Sequence, residues 1–168
     1  MTADPGTTSR LPTLGPKGEG WVAIQVVLFA LEAAAGLLNL GGPIADGGVR
    51  IGLAAIGVVG IVAGGLLAVL GVVTLRDSLT ALPHPLDGAS LVETGVYRLV
   101  RHPIYGGIII GALGWGLVTA SLAAIAGAAV LLGFFRLKSG LEEVWLGHRY
   151  PDYAAYRTRT RRMLPFLY

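Results

Sequence analysis

The chain has 168 residues, 54% hydrophobic and 14% charged, with a mean hydropathy of +0.68. Soluble domains carry about 25% charged residues, and here the apolar residues gather into long runs, so the chain reads as an integral membrane protein of one domain. It has no cysteine, which excludes disulfides, thiolate metal sites and cysteine nucleophiles, and its three histidines (His84, His102, His148) lack metal-ligand spacing; neither a metal nor a nucleic-acid partner is expected.

Residues 1–20 are rich in Thr, Pro and Gly. They lack a basic start leading into an apolar core and a small-residue cleavage site, and read as a disordered tail ahead of a membrane domain over 21–168. Trp21 to Leu40 is the first apolar run, interrupted by Gln25, Glu32 and Asn39. About 20 helical residues cross a bilayer core of roughly 30 Å. The glycine-rich stretch 41–48 reads as a turn. Val49 to Leu75 predicts a second helix carrying Gly57, Gly60, Gly64, Gly65 and Gly71, and small residues at such spacings let helices approach closely in lipid. In the polar connection Arg76 to His102, the segment Leu82-Pro83-His84-Pro85 cannot be regular helix, because proline disfavours helical geometry in the residue before it.

Ile104 to Thr119 predicts the third helix, with Pro103 in its first turn. Thr119-Ala120-Ser121 makes a turn, and a fourth helix starts at Leu122, leaves the membrane near Leu137 and runs on through Glu142-Glu143. The last two membrane helices are short, about 16 residues or 24 Å each, and form a hairpin. The expected fold is therefore all-α and polytopic, with four transmembrane helices and a C-terminal amphipathic segment. With four spans both termini share one side, and twelve of the thirteen Lys and Arg residues fall there, Arg50 being the exception. The positive-inside rule makes that side cytoplasmic.

The hairpin returns Glu142-Glu143 to the side of Arg101-His102-Pro103-Ile104-Tyr105-Gly106-Gly107. Taken alone, the first motif reads as a basic collar at a membrane interface. The functional reading is that Arg101 and His102, at a helix N-terminus, receive a carboxylate or phosphate. Tyr105 then stacks on or hydrogen-bonds a bound ring, and Gly106 and Gly107 open the backbone to a ligand. Adjacent helical residues point about 100° apart, so one of Glu142 and Glu143 faces the pocket, to bind an ammonium or ribose hydroxyls, while the other fixes nearby arginines. Tyr153, Tyr156 and Arg157 either anchor to headgroups or fold over the pocket. His84 is a loop residue or lines the pocket from above. Glu32, an intramembrane acid, is either functional or protonated and hydrogen-bonded to a neighbouring helix.

Gly95-Val96-Tyr97-Arg98-Leu99-Val100-Arg101-His102-Pro103-Ile104-Tyr105-Gly106-Gly107, then a hairpin, then Glu142-Glu143-Val144-Trp145-Leu146 resembles the signature of the isoprenylcysteine carboxyl methyltransferase and phospholipid N-methyltransferase superfamily. Tyr150, Tyr153, Tyr156 and Pro165-Phe166 continue the likeness, which covers about 82–168; Gly147-His148-Arg149 departs from the Phe-Gly pair common in relatives. The resemblance implies methyl transfer from S-adenosylmethionine, with a cofactor pocket on the cytoplasmic side formed by Arg101, His102, Tyr105, Glu142 and Glu143. It also implies a role for Arg157 near the acceptor, and Arg157 and Glu142 are the expected catalytic residues. The expected acceptor is a lipid or small hydrophobic molecule, and the expected site is a bacterial plasma membrane. A membrane reductase using NADPH and a small transporter built around Glu32 are the alternatives.

Overall fold

The computed structural model describes residues 12–164. Residues 1–11 of the expected tail and the Pro165-Phe166 pair lie outside the described residues. Among the described residues five α-helices follow one another: α1 (Glu19–Leu37), α2 (Gly47–Leu75), α3 (Pro103–Thr119), α4 (Leu122–Arg149) and the short α5 (Tyr153–Arg159), with 3-10 turns at Arg76–Ser78 and Gly95–Arg98 between α2 and α3. Among the described residues there is no named strand, only isolated bridges pairing Pro43 with Ser121 and Val100 with Arg161. Helices α1, α2 and α4 are long and apolar enough to cross a membrane. At 17 residues, α3 rises about 25 Å and stops short of a full hydrocarbon core of about 30 Å.

The first helix begins at Glu19 and ends at Leu37, earlier than the apolar run suggests. Asn39, Gly41 and Gly42 all take positive φ, which turns the chain sharply where hydropathy alone sees continuity. Ahead of the helix, the Trp21 indole donates to the Pro12 carbonyl at 3.1 Å, and Gly20 N–H to the Leu14 carbonyl at 2.8 Å.

Helices α2 and α3 are joined through glycine. A Cβ built on Gly57 would lie 2.5 Å from the Gly114 carbonyl oxygen, and one on Gly114 would lie 2.5 Å from the Gly57 carbonyl oxygen. The same reciprocal collision links Gly64 with Gly107. The working pairs are seven residues apart on both helices, so backbone meets backbone twice along one antiparallel seam. Gly71 continues the seam against Pro103 and Ile104, which seats the entry of α3 beside the end of α2.

The α3–α4 hairpin closes at Ala120, in the left-handed conformation, and at Ser121. The Ser121 hydroxyl accepts from Ala124 N–H at 3.2 Å, capping α4, and lies 2.9 Å from the carbonyls of both Ala35 and Leu40. One serine thus ties the hairpin tip to the end of α1, and the Pro43–Ser121 bridge puts both tight turns at one end of the bundle. At the other end, the loop 79–94 and the C-terminal segment come together. The core between α1, α3 and α4 is aromatic: Trp21, Phe134 and Phe135 interlock with ring centroids 5.3–5.6 Å apart.

Candidate active site

The entry of α3 is fixed by the end of the chain. Arg101 N–H donates to the Arg161 carbonyl and His102 N–H to the Arg162 carbonyl, both at 2.8 Å, while Arg161 N–H donates to the Leu99 carbonyl at 2.9 Å. This short parallel pairing explains Gly106. A Cβ there would strike the Met163 carbonyl oxygen, so Gly106 admits the returning chain and does not line the main cavity described below.

His102 N-caps α3, with Pro103 as the first helical residue. Its ring sits between two acids, Nδ1 at 3.4 Å from Glu142 Oε2 and Nε2 at 3.4 Å from Glu143 Oε1. It lies parallel to Tyr105 at 5.5 Å, and Tyr105 stacks on Phe135 at 4.4 Å, which fixes the imidazole plane. Burial pulls the His102 pKa down, but the two carboxylates more than offset this and hold it above the ordinary histidine value.

The two glutamates divide their work as the 100° step requires. Glu142 faces Tyr105, whose hydroxyl donates to it, and lines a cavity of about 490 Å³. Glu143 faces the arginines. Arg101 Nε and Arg162 Nη2 each lie 2.9 Å from it, and Arg157 Nε 3.6 Å away. Arg101 is held further by the Arg157 carbonyl at 3.0 Å and the Thr160 carbonyl at 2.5 Å. Arg101, His102 and Tyr105 line the cavity with Glu142, as do Tyr153 and Tyr156; Glu143, Arg157 and His84 do not. The Arg157 side chain is 60% exposed. His84 packs edge-on against Trp145, with centroids 4.1 Å apart. Glu32 is buried against Gly127 of α4, has no hydrogen-bond partner among the described residues and lies off the cavity.

Sequence reading missed Lys138. It is fully buried on α4, one turn before Glu142, and lines the cavity. Its Nζ donates to Gln25 Oε1 at 2.6 Å and to the Ala81 carbonyl at 2.9 Å, and lies 5.4 Å from the Tyr105 ring centroid. Two signals point to it: Lys138 and Glu142 share a face at a spacing of four, and Gln25, Glu32 and Asn39 recur every seven residues, a polar stripe on α1. The loop over the cavity is fastened a second time where Tyr150 Oη donates to the Ala89 carbonyl at 2.7 Å.

A family model described as phospholipid methyltransferase matches residues 53–153. Two rice proteins (Oryza sativa subsp. indica and japonica), each described as a probable protein-S-isoprenylcysteine O-methyltransferase, are 34% identical over 116 residues. That alignment covers 67% of this chain and 61% of each rice protein. The cobalt-zinc-cadmium resistance protein CzcN of Cupriavidus metallidurans is 36% identical over 81 residues, covering 46% of this chain and 37% of its own. The structure of the eukaryotic intramembrane Ras methyltransferase, an isoprenylcysteine carboxyl methyltransferase, superposes with a TM-score of 0.61 at 24% identity, over 68% of this chain and 43% of that one, a likeness of fold.

Proposed function

The chain belongs to the phospholipid methyltransferase family, and from that premise we propose that it transfers a methyl group from S-adenosylmethionine to a lipid or small hydrophobic acceptor at the cytoplasmic face of a bacterial plasma membrane. The observation that carries the reading is the meeting of His102, Tyr105 and Glu142 on the wall of one cavity. The reading includes four spans, α3 crossing with help from its neighbours, both termini cytoplasmic, and the basic segment after α5 lying amphipathically at the interface. The cofactor-site half is about 82–168.

The donor set fits the cofactor. A volume of about 490 Å³ lies within the usual range of ligand cavities, about 300–1,000 Å³. The wall offers a carboxylate for an ammonium or ribose diol (Glu142), buried cations for a carboxylate (Arg101, His102, Lys138), and aromatic faces for a base (Tyr105, Tyr150, Tyr153, Tyr156). When bound, S-adenosylmethionine supplies a methyl group on a positively charged sulfur. The protein's task is then to align an acceptor and keep water away. Glu142 orients the ligand and, for an ammonium acceptor, takes up its proton. Glu143 holds Arg101, and Arg157 positions Arg101 through its carbonyl. Lys138 closes the cavity by joining α1, α4 and the 79–94 loop.

Val72, Leu79 and Leu86 line the cavity and are also 38–40% exposed. Such an apolar margin admits a hydrophobic molecule sideways from the bilayer. Calorimetry on the detergent-solubilised protein tests the reading: S-adenosylmethionine binds the wild type and binds Glu142→Gln weakly. Binding of NADPH in its place would favour the reductase.

A further inference from the structure

Helix α1 lies before the residues that carry the family match, yet it reaches the cavity through one polar side chain, Gln25, which is half-buried and lines the wall with Lys138. A lysine ammonium only donates. The atom 2.6 Å from Lys138 Nζ is therefore the amide oxygen of Gln25, and this contact fixes which way the amide points. Gln25 Nε2 then has no hydrogen-bond partner among the described residues and stays accessible. The ammonium beside the amide oxygen polarises the amide and strengthens its N–H donors.

Charge on the cavity wall is one-sided. The lining holds three basic side chains, Arg101, His102 and Lys138, and one acid, Glu142. Arg101 is spent on Glu143, and His102 lies between Glu142 and Glu143. Lys138 donates to neutral oxygens, Gln25 Oε1 and the Ala81 carbonyl at 2.9 Å, and neither cancels its charge. S-adenosylmethionine adds a positive sulfur to this wall. Coulomb repulsion then disfavours a second cation and favours an anion.

We propose that Gln25 and Lys138 form the corner that reads the methyl acceptor, and that it selects a single-tailed amphiphile ending in a carboxylate over one ending in an ammonium. Gln25 Nε2 donates to a carboxylate oxygen, Lys138 supplies the field behind it, and the apolar tail leaves toward the exposed margin at Val72. Arg101 and His102 remain for the carboxylate of the cofactor. This rests on the methyl-transfer reading and narrows it. A carboxylate oxygen attacks the methyl carbon, and the C–S bond breaks with its electron pair going to sulfur. The products are a methyl ester and a neutral thioether, with no proton to remove.

The test is calorimetry on the cofactor-free full chain in detergent with three probes of equal tail, decanoate, decylammonium and decanol. Wild type binds decanoate about tenfold more tightly than either of the others. Gln25→Glu keeps an oxygen for Lys138, so the tether and the Tm hold, but it removes the amide donors and adds a negative charge. Its decanoate affinity falls about tenfold and its decylammonium affinity rises. A Gln25 that only tethers, or decanoate held at Arg101 and His102 instead, leaves decanoate affinity unchanged in this variant, and that result overturns the proposal. Equal binding of the three probes by wild type overturns it too. If Gln25→Glu fails to fold, Lys138→Gln, which drops the charge and keeps an amide donor for Gln25, decides by the same loss. Titration of S-adenosylmethionine into wild type reads the underlying function separately: no binding there, with decanoate still selected, overturns the methyl-transfer reading and with it the acceptor role of the corner.

Discussion

Glu143→Gln separates the two glutamates. The substitution keeps the side-chain shape and removes one charge. The Glu143 side chain is 3% exposed and that of Arg101 8%, so the Arg101–Glu143 pair is buried. Breaking a buried pair from one side costs about 3–5 kcal/mol, because the remaining charge has no counter-ion. Arg157 is 60% exposed, so it relaxes toward solvent and adds little, while Arg162, 20% exposed and held by Glu143 through both Nε and Nη2, loses part of its pairing too. The glutamine carbonyl still accepts from Arg101 Nε, which favours the lower end, about 3 kcal/mol. For a chain of this size each kcal/mol moves the Tm by about 2–4 °C, giving a loss of about 6–12 °C in detergent. Glu142→Gln is expected to lower the Tm as well, since it removes one of the two carboxylates around the buried His102, but it alone also weakens cofactor affinity directly, about 10–100-fold by loss of a charged hydrogen bond. A Glu143→Gln protein as stable as wild type, or a Glu142→Gln protein of unchanged affinity, would refute this division.

Gly64→Leu drives a side chain into the Gly107 carbonyl, whereas Gly65 has no atom within 4 Å of an added Cβ. Size-exclusion chromatography and thermal unfolding should therefore show Gly64→Leu lost or strongly destabilised and Gly65→Leu near wild type. Lys138→Met removes the tether from α4 to Gln25 and Ala81, and calorimetry should show cofactor binding weakened about tenfold with insertion unchanged. His102 has a folded-state pKa above its ordinary 6.5, so its stabilising contribution is complete below that value and fades as pH rises through the folded pKa. The Tm difference between wild type and His102→Gln should accordingly shrink with rising pH above 6.5. A difference that grows would reverse the assignment of charge in the cluster.

Local chemistry made the helices, the hairpin and the meeting of Arg101-His102 with Glu142-Glu143 legible in the sequence. Pro103 marks a helix start, Thr119-Ala120-Ser121 a turn, and the uncharged stretch between them leaves few other placements. Long-range pairing was not legible. Nothing in Gly106 itself says that Met163 returns over it, and nothing in residues 99–102 announces a parallel partner at 161–162. Lys138 looked like one more basic residue beyond a membrane helix, because its role depends on α1 docking Gln25 against α4. Gly60 and Gly64 matched the small-xxx-small pattern, yet the reciprocal contacts with α3 use Gly57 and Gly64, a spacing of seven set by the facing helix. His84 reads as either a loop residue or a pocket-lining one; it lies in a loop and off the lining of the cavity, and its contact with Trp145 depends on how that loop folds back.

The central claim is that the Glu142 cavity presents a methyl donor to a hydrophobic acceptor. The most direct measurement incubates the purified protein with methyl-labelled S-adenosylmethionine and a total native lipid extract, then follows label into the organic phase. Wild type should deliver label to a lipid-extractable product, with Glu142→Gln reduced to background. Label confined to the aqueous phase with wild type, or equal transfer by the two proteins, would contradict the account.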